Sequence, residues 1–227
     1  MSTDLFLRAV KLQSTGQLRE ATDLYAEALA ADPDLLPRGP DFLIIGAARS
    51  GTTWLKKCLS RHPALRIRKG ETNYFTQHIG QSPLDYTAMF TPAHFKGAQG
   101  GTGPYLQGEK SPAYQIMNTR RIRLCATLFP RAKIIFLIRH PVERGWSHLK
   151  HEDLPTEGRA YERILRVGRY EHDLMRWSSH FAEMMIVDFE DIRARPAALL
   201  AQIHAFLGVE PMPSLKVSQG TSQRSSR

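Results

Sequence analysis

The sequence predicts an α/β fold in which a parallel β-sheet is flanked by helices and preceded by a small N-terminal helical hairpin. Short apolar runs at 42–45 and Lys133–Ile138 are bounded by turn or charged residues, which is typical of buried strands. Stretches with apolar residues at helical spacing separate such runs, and this alternation favours parallel neighbouring strands. The 227 residues are enough for one substantial core and a small appendage.

Residues 4–31 carry apolar side chains at helical spacing and end at Asp32-Pro33. They predict a helical hairpin, to which we assign residues 1–36. The spacing resembles that of a single tetratricopeptide repeat at Ala9, Gly16, Ala21, Tyr25, Ala28 and Pro33. Because one repeat cannot bury both of its faces, we expect the hairpin to dock on the next domain, with a protein partner or self-association as the alternative.

A linker rich in proline and glycine at 37–40 marks a domain boundary, and the main domain is assigned to residues 40–217. The polar segment 218–227 is predicted to be a disordered tail. Segment 76–103 shows weak helical patterns and is interpreted as a substrate-binding lid. The remaining elements alternate: strands at 41–45, 65–68, Lys133–Ile138 and 184–189, a short strand or turn at 106–112, and helices at 120–129, 161–178 and 195–207.

A phosphate-binding loop is predicted directly after the first strand. Gly46 and Gly51 let the backbone curl, and the helix that follows points free N–H groups at an anion. The pattern differs from that of ATP- and GTP-binding loops, because Thr52 follows Gly51 where those loops have lysine, and the cation is Arg49 instead. This P-loop-like turn suits a ligand with one phosphate at this point. The alternative is an ordinary strand-to-helix turn made of small residues.

A second anion site is predicted where Lys133–Ile138 ends. Arg139 stands there, where a triphosphatase has an aspartate near magnesium, and this favours direct phosphate binding by a guanidinium with no metal. Ser147 falls in the next helix, so its hydroxyl can return to the same strand end. The alternative is that Arg139 pairs with a carboxylate and Ser147 lies on the helix surface. Ligands of such sheets sit beyond the carboxyl ends of the strands, where Arg49 and Arg139 both lie.

Composition narrows the function further. The formal net charge of +9 favours anionic ligands, but the sequence carries no nucleic-acid-binding signature. Cys58 and Cys125 lie in apolar surroundings and are predicted to be reduced thiols, with no metal cluster. No apolar run is long enough to span a bilayer and no targeting segment is evident, so we expect a cytoplasmic protein.

Four motifs together resemble the sulfotransferase family that uses 3′-phosphoadenosine 5′-phosphosulfate (PAPS), and two of them are most similar to its heparan sulfate N- and 3-O-sulfotransferase branch. They occur in the family's order between about residues 41 and 208. The motifs are Arg49-Ser50-Gly51-Thr52-Thr53-Trp54, Lys69-Gly70-Glu71 leading to Tyr74-Phe75, Glu109-Lys110-Ser111-Pro112, and Arg139 through Pro141 to Ser147.

The resemblance implies a role for each matching residue. Glu71 would be the general base and Lys110 a cation near the transferring sulfuryl group, with His78 or His94 as rival bases. Trp54 would stack on or near the adenine, although a plain core position remains the alternative. The 5′-phosphosulfate would bind Arg49, Ser50, Gly51, Thr52 and Thr53, and the 3′-phosphate would bind Arg139 and Ser147, with no metal in either site.

The resulting hypothesis is a PAPS-dependent sulfotransferase. It would move a sulfuryl group to a hydroxyl or amino group of an acceptor, a carbohydrate or a related small or lipidic molecule, by in-line attack with Glu71 taking the proton. Two alternatives remain open: a kinase with a divergent phosphate loop, and a non-catalytic interaction protein on the same fold.

Overall fold

The structure is a computed structural model of the chain and describes residues 1–96 and 103–212. In this part the strands are β1 (Phe42–Gly46), β2 (Leu65–Arg68), β3 (Phe95–Lys96), β4 (Leu106–Lys110), β5 (Lys133–Ile138) and β6 (Met184–Asp188). The helices are α1 (Ser2–Ser14), α2 (Leu18–Ala31), α3 (Thr52–Leu59), α4 (Tyr74–Gln77), α5 (Pro83–Thr87), α6 (Thr119–Leu128), α7 (Pro141–Glu152), α8 (Gly158–Arg166), α9 (Tyr170–Ser178), α10 (Phe189–Ala194) and α11 (Pro196–Leu207). The predicted tail at 218–227 lies outside the described residues.

Among the described residues, the sheet has six strands in the order β3-β2-β4-β1-β5-β6. Five of them run parallel, and β3 pairs antiparallel with β2 at the edge. Ile44 of the central strand β1 lies opposite Lys110 of β4 and Ile135 of β5. The carboxyl ends of the parallel strands therefore meet at one edge, and the predicted α/β fold is confirmed.

Both faces of the sheet are covered, which explains why all five residues of β1 are buried. Leu43 and Ile45 point into a core cluster that also includes residues of α1, α2, α4, α6 and α9. Phe42 and Ile44 point to the opposite face, into a cluster built with α3 and α11. The two-residue period of the strand thus divides its side chains between two layers of helices.

The N-terminal hairpin is part of the first of these cores. Phe6 and Tyr25 are buried there, with their ring centroids 5.1 Å apart. Buried Gln13 accepts a hydrogen bond from the Tyr25 hydroxyl at 2.8 Å and donates one to the Tyr74 hydroxyl at 2.8 Å. The hairpin therefore packs on the main domain through both apolar contacts and a buried polar chain. Its likeness to a tetratricopeptide repeat stays a prediction.

Two predicted elements differ from the structure. The single helix expected at 161–178 is wrong, because α8 and α9 are separate helices with Gly168 between them. A Cβ on Gly168 would lie 3.1 Å from Cβ of Pro141, so glycine lets the chain pass close to the start of α7 at this break. The strand expected at 184–189 ends one residue early, because the Asp188 side chain accepts a hydrogen bond from Glu190 N at 3.0 Å and caps α10.

Part of segment 76–103, the predicted substrate-binding lid, packs into the main core. Tyr86 and Phe90 are buried in it and pack at 5.2 Å between ring centroids. Residues 97–102 of this segment lie outside the described part.

Both cysteines, Cys58 and Cys125, are free and buried, and burial raises the pKa of each thiol. Within 1–96 and 103–212, no helix is both long and apolar enough to cross a membrane.

Candidate active site

The predicted phosphate-binding loop joins β1 to α3 at the carboxyl edge of the sheet. Gly51 caps α3 with a φ of 90°, and a Cβ there would lie 2.5 Å from Cδ1 of Ile192 and 3.2 Å from the Phe189 ring. Both the backbone conformation and the close approach of α10 therefore require glycine. Buried Ser50 leaves its Oγ without a hydrogen-bond partner among the described residues, which is a feature expected of a polar atom that meets a ligand.

Three of the predicted anion-binding residues converge. Arg49, with a φ of 68°, turns its side chain toward α7, where Nε donates to Oγ of Ser147 at 3.2 Å. Arg139 follows β5, and its guanidinium donates to the backbone oxygen of Arg49 at 3.4 Å. Because these contacts link the end of β1, the end of β5 and helix α7, the two predicted phosphate positions adjoin each other.

Arg139 is held in place from several sides. The Tyr170 hydroxyl donates to its backbone oxygen at 2.8 Å, and the guanidinium carbon lies 4.3 Å from the ring centroid of Phe189. Its Nη2 forms an ion pair with exposed Glu143 at 3.1 Å, so the carboxylate pairing considered as the alternative is present. The buried Nε has no hydrogen-bond partner in the described part of the chain. The side chain is thus oriented but retains a free donor.

A cavity of about 1240 Å³ opens in front of these groups. Every predicted donor-binding residue except Ser50 lines it, namely Arg49, Gly51, Thr52, Thr53, Trp54, Arg139 and Ser147. Three further residues line it from α7, namely Glu143, Trp146 and Lys150, and the sequence motifs do not identify them. These residues occur three or four positions from Ser147 or directly beside it, so the helical face that Ser147 occupies was the signal that could have identified them. Phe189, Ile192 and Arg193 of α10 close the opposite side.

Two tryptophans face this cavity in different ways. Trp54 is half-buried and packs against the core cluster under α3, and its stacking on the adenine stays a prediction. Trp146 is 52% exposed, and Nζ of Lys150 lies 5.2 Å from its ring centroid. Trp146 therefore offers an accessible aromatic face beside a cation.

Glu71 and Lys110 form an ion pair at the same edge of the sheet. Lys110 is the last residue of β4, and Glu71 lies in the loop after β2, which is the strand next to β4. The side chain of Lys110 is 10% exposed and that of Glu71 is 38% exposed. Neither is among the described residues that line the cavity, so the structure pairs the predicted base with the predicted cation beside the phosphate loop rather than within it.

The rival histidine bases lie elsewhere on the surface. His78 is exposed at the end of α4, and exposed His94 forms a hydrogen bond between Nδ1 and Oγ1 of Thr91 at 2.8 Å. Among the described residues, no three His, Cys, Asp or Glu side chains are grouped so that they could hold a metal ion. The choice of Glu71, His78 or His94 as the base stays a prediction.

Comparisons with known proteins identify the family of the chain. The model of the sulfotransferase family matches residues 84–213, which is more than half of the chain. Human bifunctional heparan sulfate N-deacetylase/N-sulfotransferase 2 is 28% identical over 202 residues, and the Caenorhabditis elegans bifunctional heparan sulfate N-deacetylase/N-sulfotransferase 1 is 27% identical over 212 residues. Each match covers 77% of this chain but 22% of the relative, so the chain spans about a fifth of their length.

Solved structures show the same fold. A sulfotransferase from Alicyclobacillus acidocaldarius superimposes with a TM-score of 0.62 at 23% identity, covering 80% of this chain and 85% of that one. The sulfotransferase domain of the Synechococcus PCC 7002 olefin synthase gives a TM-score of 0.55 at 21% identity, covering 77% of this chain and 74% of that domain. With the family model matched over more than half of its residues, the chain belongs to the sulfotransferase family.

Proposed function

We propose that this chain is a sulfotransferase that moves a sulfuryl group from PAPS to a hydroxyl or amino group of an acceptor. The observation that carries the proposal is the convergence of Arg49, Arg139 and Ser147 at the amino end of α3. Two guanidinium groups, a hydroxyl and a helix N-terminus make a site for a ligand with more than one anionic group.

The polar groups left free support a donor with two phosphate positions. The amino end of α3 and Arg49 would hold the 5′-phosphosulfate, while Arg139 and Ser147 would hold the 3′-phosphate. Ser50 Oγ and Arg139 Nε, both buried and without partners in the described part of the chain, supply additional donors. Trp54 and Trp146 present aromatic surface in the same cavity, against which the adenine ring of the donor would pack.

The chemistry needs a proton acceptor and positive charge near the leaving phosphate. PAPS, when bound, supplies an activated sulfuryl group. The carboxylate of Glu71 would take the proton from the attacking acceptor atom, and Lys110, in contact with it, would stabilise negative charge that develops on the transferring group. Arg49 and the N–H groups at the start of α3 would stabilise the departing 5′-phosphate.

The acceptor is proposed to be a carbohydrate. The two relatives compared above carry names that refer to heparan sulfate N-sulfation. The cavity bears Lys150 and Arg193 in addition to the two arginines of the phosphate positions, and this positive charge suits an acidic sugar chain.

The test is transfer of radiolabelled sulfate from PAPS to heparan sulfate chains from which the N-sulfate groups have been removed. We expect transfer by the full chain and a loss of at least about a hundredfold in kcat for Glu71→Gln, since general base catalysis contributes that much. Glu183→Gln is the matched control, because Glu183 is likewise a carboxylate paired with a lysine, Lys133, at 2.9 Å. Equal kcat for the two variants would contradict Glu71 as the base. Magnesium-dependent ATP binding without sulfate transfer would favour the kinase alternative instead.

A further inference from the structure

A second glutamate, Glu109, lies completely buried in β4 directly before Lys110. Its carboxylate accepts five hydrogen bonds. Those to Oε1 come from the hydroxyls of Tyr86 at 2.6 Å and Tyr114 at 2.9 Å. Those to Oε2 come from Thr72 N at 3.2 Å, Thr72 Oγ1 at 2.6 Å and Ser111 Oγ at 2.8 Å.

Burying the carboxylate of Glu109 costs free energy, and its hydrogen-bond partners carry no charge that could offset this cost. An unpaired carboxylate loses several kcal/mol of hydration on burial, a cost that hydrogen bonds must offset. Lys110, the next residue, pairs with Glu71 instead. The carboxylate accepts from these hydroxyls, and Thr72 Oγ1 and the Tyr114 hydroxyl also form a hydrogen bond with each other at 2.7 Å within the same network. The carboxylate therefore fixes the directions of Thr72 and Ser111.

Those two partners are the chain neighbours of the proposed reacting pair. Thr72 follows Glu71, and Ser111 follows Lys110. A second link joins the same segments, since Asn73 N donates to Ser111 Oγ at 3.3 Å. Oε2 of Glu109 thus ties the loop that carries Glu71 to the strand end that carries Lys110.

The Oε1 side forms a rigid support. Tyr86 and Tyr114 are fully buried aromatic residues, and both pack against the ring of Phe75. Burial beside the carboxylate raises the pKa of both tyrosines well above the ordinary value, so both hydroxyls keep the protons that they donate. Glu71 lies in a loop and is 38% exposed, so its own burial does not fix its position.

We propose that Glu109 is a positioning residue, which holds Thr72 so that the carboxylate of Glu71 meets Lys110. The catalytic part of this inference rests on the proposed function. The structural part, the dependence of the Glu71–Lys110 pair on Thr72, does not.

The test uses Thr72→Val in the full chain, because valine has nearly the shape of threonine and removes only the hydroxyl. Thr72→Ser keeps the hydroxyl and is the rescue variant. Thr22→Val is the matched control, since Thr22 is also buried and its hydroxyl donates to Leu18 O at 2.6 Å in the hairpin. Glu109→Gln tests the role of the carboxylate itself. If that variant does not fold, Thr72→Val decides whether the inference holds.

Crystal structures and kinetics are then compared. We expect Glu71 to leave Lys110 in Thr72→Val crystals and to remain paired in Thr72→Ser and Thr22→Val. We expect kcat for sulfate transfer to the N-desulfated heparan sulfate to fall at least about tenfold in Thr72→Val, with KM for PAPS unchanged, since small misplacements of a reacting group can cost a hundredfold. Thr72→Ser should restore kcat.

Two results would overturn the inference: an intact Glu71–Lys110 pair in Thr72→Val crystals, or a kcat for that variant within twofold of the wild type. Failure of the proposed function is distinguishable from these. A wild-type chain that transfers no sulfate to any acceptor would contradict the proposed function, while the crystal structures would still decide whether Thr72 positions Glu71.

Discussion

His204 provides a quantitative prediction about stability near helix α3, which follows the predicted phosphate-binding loop. It lies on α11 with 1% of its surface exposed, its ring centroid 4.8 Å from that of His62, which follows α3. Neither of its ring nitrogens has a hydrogen-bond partner in the described part of the chain. His62 accepts from Ala64 N through Nδ1 at 3.1 Å, which leaves Nε2 to donate to Glu210 O at 2.8 Å.

Burial, and secondarily the neighbouring His62, lower the pKa of His204 from 6.5 to about 4. The unfolded chain therefore binds a proton at this histidine more readily than the folded chain does. The contribution of neutral His204 to the free energy of unfolding is fully present above pH 6.5 and is lost as the pH falls toward 4. At about 1.4 kcal/mol per pKa unit, the full loss is about 3 kcal/mol. Between pH 7 and pH 5 the loss is about 2 kcal/mol.

The assay is urea unfolding of the wild type and His204→Phe at pH 7 and pH 5. Phenylalanine keeps a planar ring but cannot be protonated, so the difference between the two pH dependences isolates His204 from the other titrating groups. We expect the free energy of unfolding of the wild type to fall by about 2 kcal/mol more than that of the variant. If the free energies of unfolding of the two proteins change between pH 7 and pH 5 by amounts that agree within about 0.5 kcal/mol, the lowered pKa of His204 is contradicted.

The remaining predictions concern the cavity. Gly51→Ala should lower the free energy of unfolding by about 1–3 kcal/mol more than Gly16→Ala, because both glycines have positive φ but only Gly51 meets Ile192; equal losses by urea unfolding would refute this. Glu143→Gln should tighten binding of 3′,5′-diphosphoadenosine by up to about fivefold, since it releases Arg139 from an exposed ion pair; weaker binding by calorimetry would contradict it. Trp146→Leu should weaken that binding severalfold at an unchanged melting temperature, and unchanged binding would exclude a contact with the ring.

Some parts of the site could be predicted because the signal is local. The apolar run Lys133–Ile138 identifies a buried strand, and the strand fixes where Arg139 must lie. The glycine at position 51 and the hydroxyls around it identify a turn that can hold an anion. Ser147 could be placed near Arg139 because one α-helix leads from one to the other.

Other parts depend on contacts between distant segments. The face of α7 that lines the cavity is set by buried Arg144, whose guanidinium donates to Ile164 O on α8; no local pattern shows that contact. The close approach of Gly168 to Pro141, at the break between α8 and α9, is likewise a contact between distant segments. The pairing of Glu71 with Lys110 follows from the adjacency of β2 and β4 in the sheet order, which the sequence alone did not supply.

The central claim is that the loop from Gly46 to Trp54 and the end of β5 together bind a nucleotide with phosphates on both its 3′ and 5′ positions. Calorimetric titration with 3′,5′-diphosphoadenosine in the presence of a metal chelator tests this most directly. The matched control is Arg123→Ala, since Arg123 is an exposed arginine in an ion pair with Asp23 on the hairpin. We predict one binding site per chain, unchanged by Arg123→Ala and weakened at least about tenfold by Arg139→Ala, because a charge-assisted hydrogen bond contributes about 1.5–3 kcal/mol. No binding to the wild type, or equal affinity of the two variants, would contradict the claim.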